Sequence, residues 1–265
     1  QSVAVISLEA GEVDIIINTP EQDIPRLRED SNYNLQGGVC PVATQYIFPL
    51  TTAPYNDAQF RQALNLAVDG NGISRALNPA THIDGCGAAG PTVTGYDAEM
   101  CTKYFPYDPE QAVALLAELG YTDSDGDGIL DKDGAPLTVE IEAWSEYSQP
   151  RYGEAIATQL REIGINVDLQ VVEFGTAIDD FIAGVPKVHS MMGWCGEGGT
   201  NGLWGANGFA ESMGSTEFPD AQALLTESNT LVERADRDEA VREAANILYS
   251  QYVSIPVGFT QSYFT

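Results

Sequence analysis

Between residues 107 and 192 the hydrophobic period switches repeatedly between helical and extended, and this alternation constrains the fold more than any other feature of the chain. YDPEQAVALLAELGY (107–121) spaces its apolar residues for a helix. Asp108 is placed to cap it, Pro109 takes the first helical position, where a missing N–H costs nothing, and Gly120 supplies the stop. LTVEIEAW (137–144) then alternates, with Leu137, Val139, Ile141 and Ala143 on one face of a strand. RYGEAIATQLREIGI returns to a helical period, NVDLQVVEF to an extended one, and TAIDDFIAG and VHSMMGW repeat the pair. Strands alternating with helices predict an α/β domain with a largely parallel or mixed sheet.

The flanking segments extend the pattern. EVDIIIN (12–18) is a continuous apolar run that predicts a buried strand, and TQYIFPL (44–50) predicts another, with Pro49 at an edge or an end. APYNDAQFRQALNLAVDGNGI (53–73) predicts one helix capped by Asn56 or Asp57, with Phe60, Leu64 and Ala67 on its inner face. Residues 78–106, rich in Pro, Gly and Thr, form a long irregular excursion of the kind that is functional or stapled. Two helices are expected over 219–233 and 236–251, and a last strand in YVSIPVGF. The chain opens in a helical pattern and ends just after a strand, which reads as a piece of something larger.

Acidic residues outnumber basic ones 39 to 12, a formal net charge of −27, and Lys103, Lys132 and Lys187 are the only lysines. Such a charge repels phosphate backbones and anionic bilayers, so nucleic acid and membrane surfaces are excluded as partners. It suits a protein kept soluble in salt, where self-repulsion is screened. With 43 % hydrophobic and 19 % charged residues, the composition is that of a globular domain. No apolar run is long enough to cross a bilayer, and the first twenty residues lack the shape of a signal peptide.

The four cysteines, Cys40, Cys86, Cys101 and Cys195, form no Cys-x-x-Cys pair, and neither His82 nor His189 lies at ligand spacing from one, which argues against zinc. An even, dispersed set fits disulfides in an oxidising compartment. Three pairings are open; Cys86–Cys101, closing the Gly/Pro-rich loop, is favoured, which leaves Cys40 with Cys195, and four buried free thiols are the alternative.

In TDSDGDGILDKDG, Asp123, Asp125, Asp127 and Asp131 match the first, third, fifth and ninth places of a calcium loop, with Gly128 at the sixth. The twelfth place, where a bidentate Glu closes such a site, is Gly134, and a strand rather than a helix follows. Asp and Gly also suit tight turns for backbone reasons alone, so the expectation is an acidic turn with no cofactor, and calcium as the alternative. Catalytic signatures are missing: no Gly-x-Ser-x-Gly elbow, no phosphate-binding glycine loop followed by Lys-Ser/Thr. His189 falls in an apolar strand and reads as a core or edge histidine.

Several segments, in order, resemble one family. APYNDAQFRQALNLAVDGNGI is similar to a pattern of Pro-Phe-x-Asp, Arg-Gln-Ala-Leu and Ala-Ile-Asp; YDPEQAVALLAELGY to Tyr-Asp-Pro-x-x-Ala-x-x-Leu-Leu-x-x-x-Gly-Tyr; IATQLREIGINVDLQVVEF to Gln-x-Leu-x-x-x-Gly-Ile-x-Val; and MMGWCGEGG falls where the family carries Gly-Trp-x-x-Asp. These are the family 5 solute-binding proteins of ABC transporters, which include dipeptide-, oligopeptide- and nickel-binding members. The resemblance implies a periplasmic-binding-protein-like α/β lobe with a mixed or parallel sheet flanked by helices. It divides the chain into a crossing segment and first strand (1–43), the second, ligand-binding lobe of a two-lobed receptor (44–252), and a returning crossing segment (253–265).

By the same resemblance Trp194 and Glu197 line the cleft, Glu197 standing where an Asp holds the ligand's α-amino group. The Glu, the glycines after it, and Pro49 after Phe48 depart from the family pattern. Asn201 and Trp204 are further cleft candidates, because an exposed Trp beside glycines favours recognition. Arg61 and Asp69 read as a structural ion pair or cap rather than ligand contacts. The expected protein is an extracytoplasmic, monomeric, non-catalytic receptor that captures a small solute, a short peptide foremost, and presents it to an ABC permease. The alternatives are a nickel, sugar or other solute within the family, or an extracellular hydrolase.

Overall fold

The computed structural model describes residues 3–38, 41–193 and 198–265. Trp194, Glu197, Cys40 and Cys195 lie outside these ranges. One six-stranded sheet organises the molecule. In chain order its strands are β1 (Val42–Ile47), β2 (His82–Ile83), β3 (Thr138–Trp144), β4 (Asn166–Val172), β5 (Val188–Met192) and β6 (Ser254–Thr260). Across the sheet the order is β2-β6-β1-β5-β3-β4. β3 pairs in parallel with both β4 and β5, whereas β1 is antiparallel to β5 and β6, and β2 to β6. The sheet is therefore mixed, parallel in the half where the sequence alternates most regularly.

The helices that carry the crossovers and flank the sheet are α1 (Ala58–Leu66), α2 (Gly70–Leu77), α3 (Pro109–Glu118), α4 (Gln149–Glu162), α5 (Phe174–Ile182), α6 (Pro219–Ser228) and α7 (Arg234–Ser250). Caps are where side-chain chemistry predicts them: Asp57 accepts from Gln59 N–H, and Asp108 from Gln111 N–H. The single helix expected over 53–73 is two helices. Asp69 caps the second by accepting from Gly72 N–H at 2.9 Å, an N-cap inside a run that reads as continuous. Gly70 lets that helix start press on β6, since a Cβ there would lie 1.9 Å from the Pro256 carbonyl oxygen. β6 bulges opposite the Thr44/Gln45 step, with Gly258 at φ +93, as a bulge of this kind needs.

The main core runs along the sheet through Tyr46, Ile47, Ile141, Val188 and Ile255 and out to Leu64, Leu116, Ile156, Phe181 and Leu248. Arg61 is inside it, 3 % exposed. Its guanidinium donates to Tyr55 O at 2.6 Å and to Gln251 O at 2.7 and 2.9 Å, so it holds backbone carbonyls and forms no ion pair among the described residues, and desolvation lowers its pKa to about 10. A second, smaller cluster (Val5, Leu8, Ile16 and Leu27) packs the N-terminal segment. The strand predicted over 12–18 is replaced by one bridge, Ile17 to Phe264. Of its isoleucines only Ile16 is buried, because the segment has no ladder to hold a second face. Strand β1 is central, not at an edge, and Pro49 lies beyond its end. Cys86 and Cys101 are joined, stapling the 78–106 excursion as expected.

Candidate functional site

In an α/β sheet, ligands are held outside the carboxyl ends of the parallel strands, where connecting loops diverge. Here those ends are Trp144 of β3, Val172 of β4 and Met192 of β5, and the antiparallel pairing brings the start of β1 and the end of β6 to the same edge (Thr44 faces Met192; Val42 faces Thr260). A cavity of about 360 Å3, lined by both polar and apolar groups, opens there. Its wall is assembled from Thr44 and Met192 of the sheet, Asn78 and Thr81 after α2, Tyr147 to Gln149 between β3 and α4, and Glu21.

Hydrogen bonds lock this wall. Tyr46 Oη donates to Gln149 O at 2.8 Å, tying the start of α4 to β1. Asn78 Nδ2 donates to Tyr152 Oη at 2.6 Å, and Ser148 Oγ donates to Asn78 Oδ1 at 3.1 Å. Burial raises the pKa of Tyr46 and Tyr152, so both phenols remain neutral at physiological pH. Glu21 reaches across from the N-terminal segment: its carboxylate accepts from Ala80 N–H and, at 2.6 Å, from Thr81 Oγ1. Gln149 is 1 % exposed, and its Oε1 has no hydrogen-bond partner among the described residues. Tyr147 at the rim is 77 % exposed and sits at φ +56, a left-handed conformation costly for a side chain of that size.

The residues picked out from sequence are distributed differently. Trp194 and Glu197 lie outside the described residues; Gly193, which precedes them, donates its N–H to Ala43 O at 2.8 Å. Trp204 is fully buried in the core, which overturns the expectation of an exposed indole: the short helix Gly199–Trp204 turns it inward. Asn201 Nδ2 donates to Ser228 Oγ at 3.0 Å and so braces that helix against α6. Gln149, Tyr147 and Glu21 were not picked out. Neutral side chains from separate segments carry no spacing signal, although a strand followed by SEYSQP marks the loop at the carboxyl end of β3.

The acidic loop lies at the opposite, amino end of β3. Asp123 accepts from Gly126 and Gly128 N–H at 2.7 and 3.1 Å, Asp125 from Asp127 N–H, Asp127 from Ile129 N–H, and Asp131 from Ser124 N–H and Oγ. These are turn-forming bonds, as the Asp/Gly reading expects. Oxygens of Asp123, Asp125 and Asp131, without Asp127, lie within 4.8 Å of one another, a donor set suited to a hard cation. A wider groove of about 620 Å3 beside Ile182 and Phe209 also belongs to the amino edge, and it is largely apolar.

Two histidine clusters bear on catalysis. Ser74 Oγ lies 3.0 Å from His82 Nδ1, and His82 Nε2 lies 2.9 Å from Asp84 Oδ1. The order is that of a nucleophile triad with its burial inverted: Ser74 is 1 % exposed, whereas the Asp84 side chain is 67 % exposed. His82, then Arg75, holds the Asp84 carboxyl below its usual range. His189 is buried, its Nε2 2.9 Å from Val185 O and its Nδ1 3.2 Å from Glu142, whose other oxygen accepts from Lys187 Nζ at 3.0 Å. Closed off from solvent, that cluster can hold the sheet to the 180–187 segment and cannot meet a substrate.

The description "bacterial extracellular solute-binding proteins, family 5 middle" matches residues 1–200. Heme-binding protein A of Haemophilus influenzae is 26 % identical over 263 residues, 94 % of this chain and 45 % of that protein. Oligopeptide-binding protein AppA of Bacillus subtilis is 29 % identical over 204 residues, 73 % of this chain and 36 % of that protein. The structure of AppA with a nonapeptide gives a TM-score of 0.77 at 18 % identity, over 98 % of this chain and 53 % of that one. HbpA2 of Haemophilus parasuis gives 0.80 at 21 % identity, over 98 % and 51 %. These structural likenesses speak for the fold. The chain spans less than half the length of the two curated relatives. Among the described residues no helix is long and apolar enough to cross a membrane. The matched motifs, the mixed sheet and the match over residues 1–200 place this chain in the family 5 extracellular solute-binding proteins.

Proposed function

We propose that this chain is the ligand-binding lobe of an extracytoplasmic receptor that captures a small solute and presents it to an ABC importer. The observation that carries the reading is the cavity at the carboxyl edge of the parallel strands, prearranged by Tyr46, Asn78 and Glu21. The lobe takes in the whole six-stranded sheet, from Val42 to Thr260, so the crossing segments are shorter than the expected 1–43 and 253–265. Ligand binding shifts an open–closed equilibrium, and no bond is made or broken. By the family resemblance we assign Trp194 and Glu197 to ligand contact. The first ligand class to test is a short peptide, since relatives include an oligopeptide-binding protein; heme, named for another relative, is the second. The receptor acts as a monomer.

Thermal melting of the full chain against peptide, oligosaccharide, metal-complex and heme libraries tests this. A ligand at a hundred times its Kd should stabilise by about 2.7 kcal/mol. If none raises the melting temperature while an ester or glycoside is turned over, the receptor reading fails.

A further inference from the structure

The cavity lies between two separately packed parts of the molecule. Asn18, Thr19 and Glu21 close one side of it, and Thr44, Asn78 and Tyr152 the other. The first three belong to an N-terminal unit whose core, Val5, Leu8, Ile16 and Leu27, stands apart from the cluster along the six-stranded sheet. Gln36–Gly37 pairs antiparallel with Tyr263–Phe264 and completes that unit. The chain passes between unit and sheet twice, before Val42 and after Thr260, and Val42 faces Thr260, so the two passages run side by side. A small body joined through two adjacent passages turns about them as a hinge unless a contact across the hinge holds the angle.

Glu21 makes such a contact, and its base is stiff. Pro20 precedes it at φ −60, Asp23 N–H donates back to Pro20 O at 2.9 Å, and Thr19 N–H donates to Tyr263 O at 2.9 Å. From there the Glu21 carboxylate accepts from Ala80 N–H and Thr81 Oγ1, both on the sheet side. Hydrogen bonds to a carboxylate are stronger than those to a neutral acceptor. The turn that it grips is tied onward in two directions. Toward the hinge, Gln261 N–H donates to Thr81 O and Gln261 Nε2 to Gly38 O, each at 2.8 Å. Toward the far wall, His82 N–H donates to Asn78 O at 2.8 Å, and the Asn78 side chain holds Tyr152 and Ser148. A connected run of bonds therefore leads from the N-terminal unit, through residues 78–82, to the returning passage and to the opposite side of the cavity.

We propose that Glu21 is a latch: it sets the angle of the N-terminal unit against the sheet and holds the two sides of the cavity in place before a solute arrives. It is a positioning residue, and its use rests on the solute-binding reading of the same site. Apparent affinity scales with the fraction of molecules already in the binding-competent arrangement, so a latched cavity binds more tightly than one that the solute must assemble.

Hydrogen exchange of the full chain, with no solute present, tests the latch. Glu21→Ala should speed exchange about tenfold at Ala80 N–H and also at the hinge amides of Gly38 and Gln261. Thr81→Val, which removes the hydroxyl from the other partner, should speed the same amides, and Thr81→Ser should keep the parent rates. Amides of β3 and β4 should exchange at parent rates in all three variants, which shows that the fold is intact. An increase confined to Ala80, or Gly38 and Gln261 amides unmoved by Thr81→Val, makes Glu21 a local contact and overturns the latch. Acceleration that extends equally to β3 also overturns it, because the contact then supports the whole fold and not the angle of one unit. No ligand enters the experiment, so a failed latch leaves the receptor reading standing, and a failed melting-temperature screen removes the receptor reading without touching the exchange result.

Discussion

At the scale of single residues, the molecule buries polar groups where a receptor needs a rigid frame. Tyr249 is an example: it lies in the core, Ala88 N–H donates to its oxygen at 2.7 Å, and desolvation pushes the phenol up to about 12 from 10.0. Below pH 10 folded and unfolded chains both keep this proton. Between pH 10 and 12 the unfolded phenol ionises first, so stability falls as pH rises, by about 2–3 kcal/mol over the window. Urea titrations at pH 8 and pH 11.5 should show that loss, and Tyr249→Phe should remove part of it. Glu142, between Lys187 and His189, is a second case. Glu142→Gln should cost about 3–5 kcal/mol, and the added Lys187→Met should recover much of it, since a buried charge without its partner is worse than none.

At the scale of elements, the alternation of residues 107–192 gave strands and helices close to their observed bounds. Caps and alternation are local signals: Asp108 and Gly120 bracket one helix, and Val139, Ile141 and Ala143 face one side of a strand. Local signals failed where the tertiary partner decides. Ile15 and Ile17 have strand character without a ladder, the cap at Asp69 divides a run that reads as one helix, and Trp204 is core although it sits beside glycines. The cavity was least legible, because Glu21, Thr44, Asn78, Gln149 and Gln261 meet only through the sheet's connectivity. The Cys86–Cys101 link closes a span of 15 residues in the excursion beside the sheet. Replacing both cysteines by alanine should lower stability by about 3 kcal/mol in denaturant titration, the loop-closure value for such a span; an unchanged midpoint would show that the excursion is held by packing alone.

At the scale of the whole molecule, the acidic surface sets the response to salt. A net charge of −27 with three lysines makes the folded state self-repelling at low ionic strength. The melting temperature should therefore rise between low salt and about 1 M salt, where the Debye length falls to about 3 Å. A flat or falling curve would mean that the acidic surface is locally compensated. The Asp123–Asp131 loop, whose carboxylates already bond turn N–H groups, should contribute little to a chelator-dependent change. Both the acidic loop and the apolar groove at Ile182 lie on the amino edge, opposite the cavity proposed to take the solute. The most direct measurement is a crystal structure of the full chain bound to its tightest ligand. The account predicts ligand density in the cavity at the carboxyl edge, against Thr44, Ser148 and Tyr147. Density confined to the Ile182–Phe209 groove would contradict it.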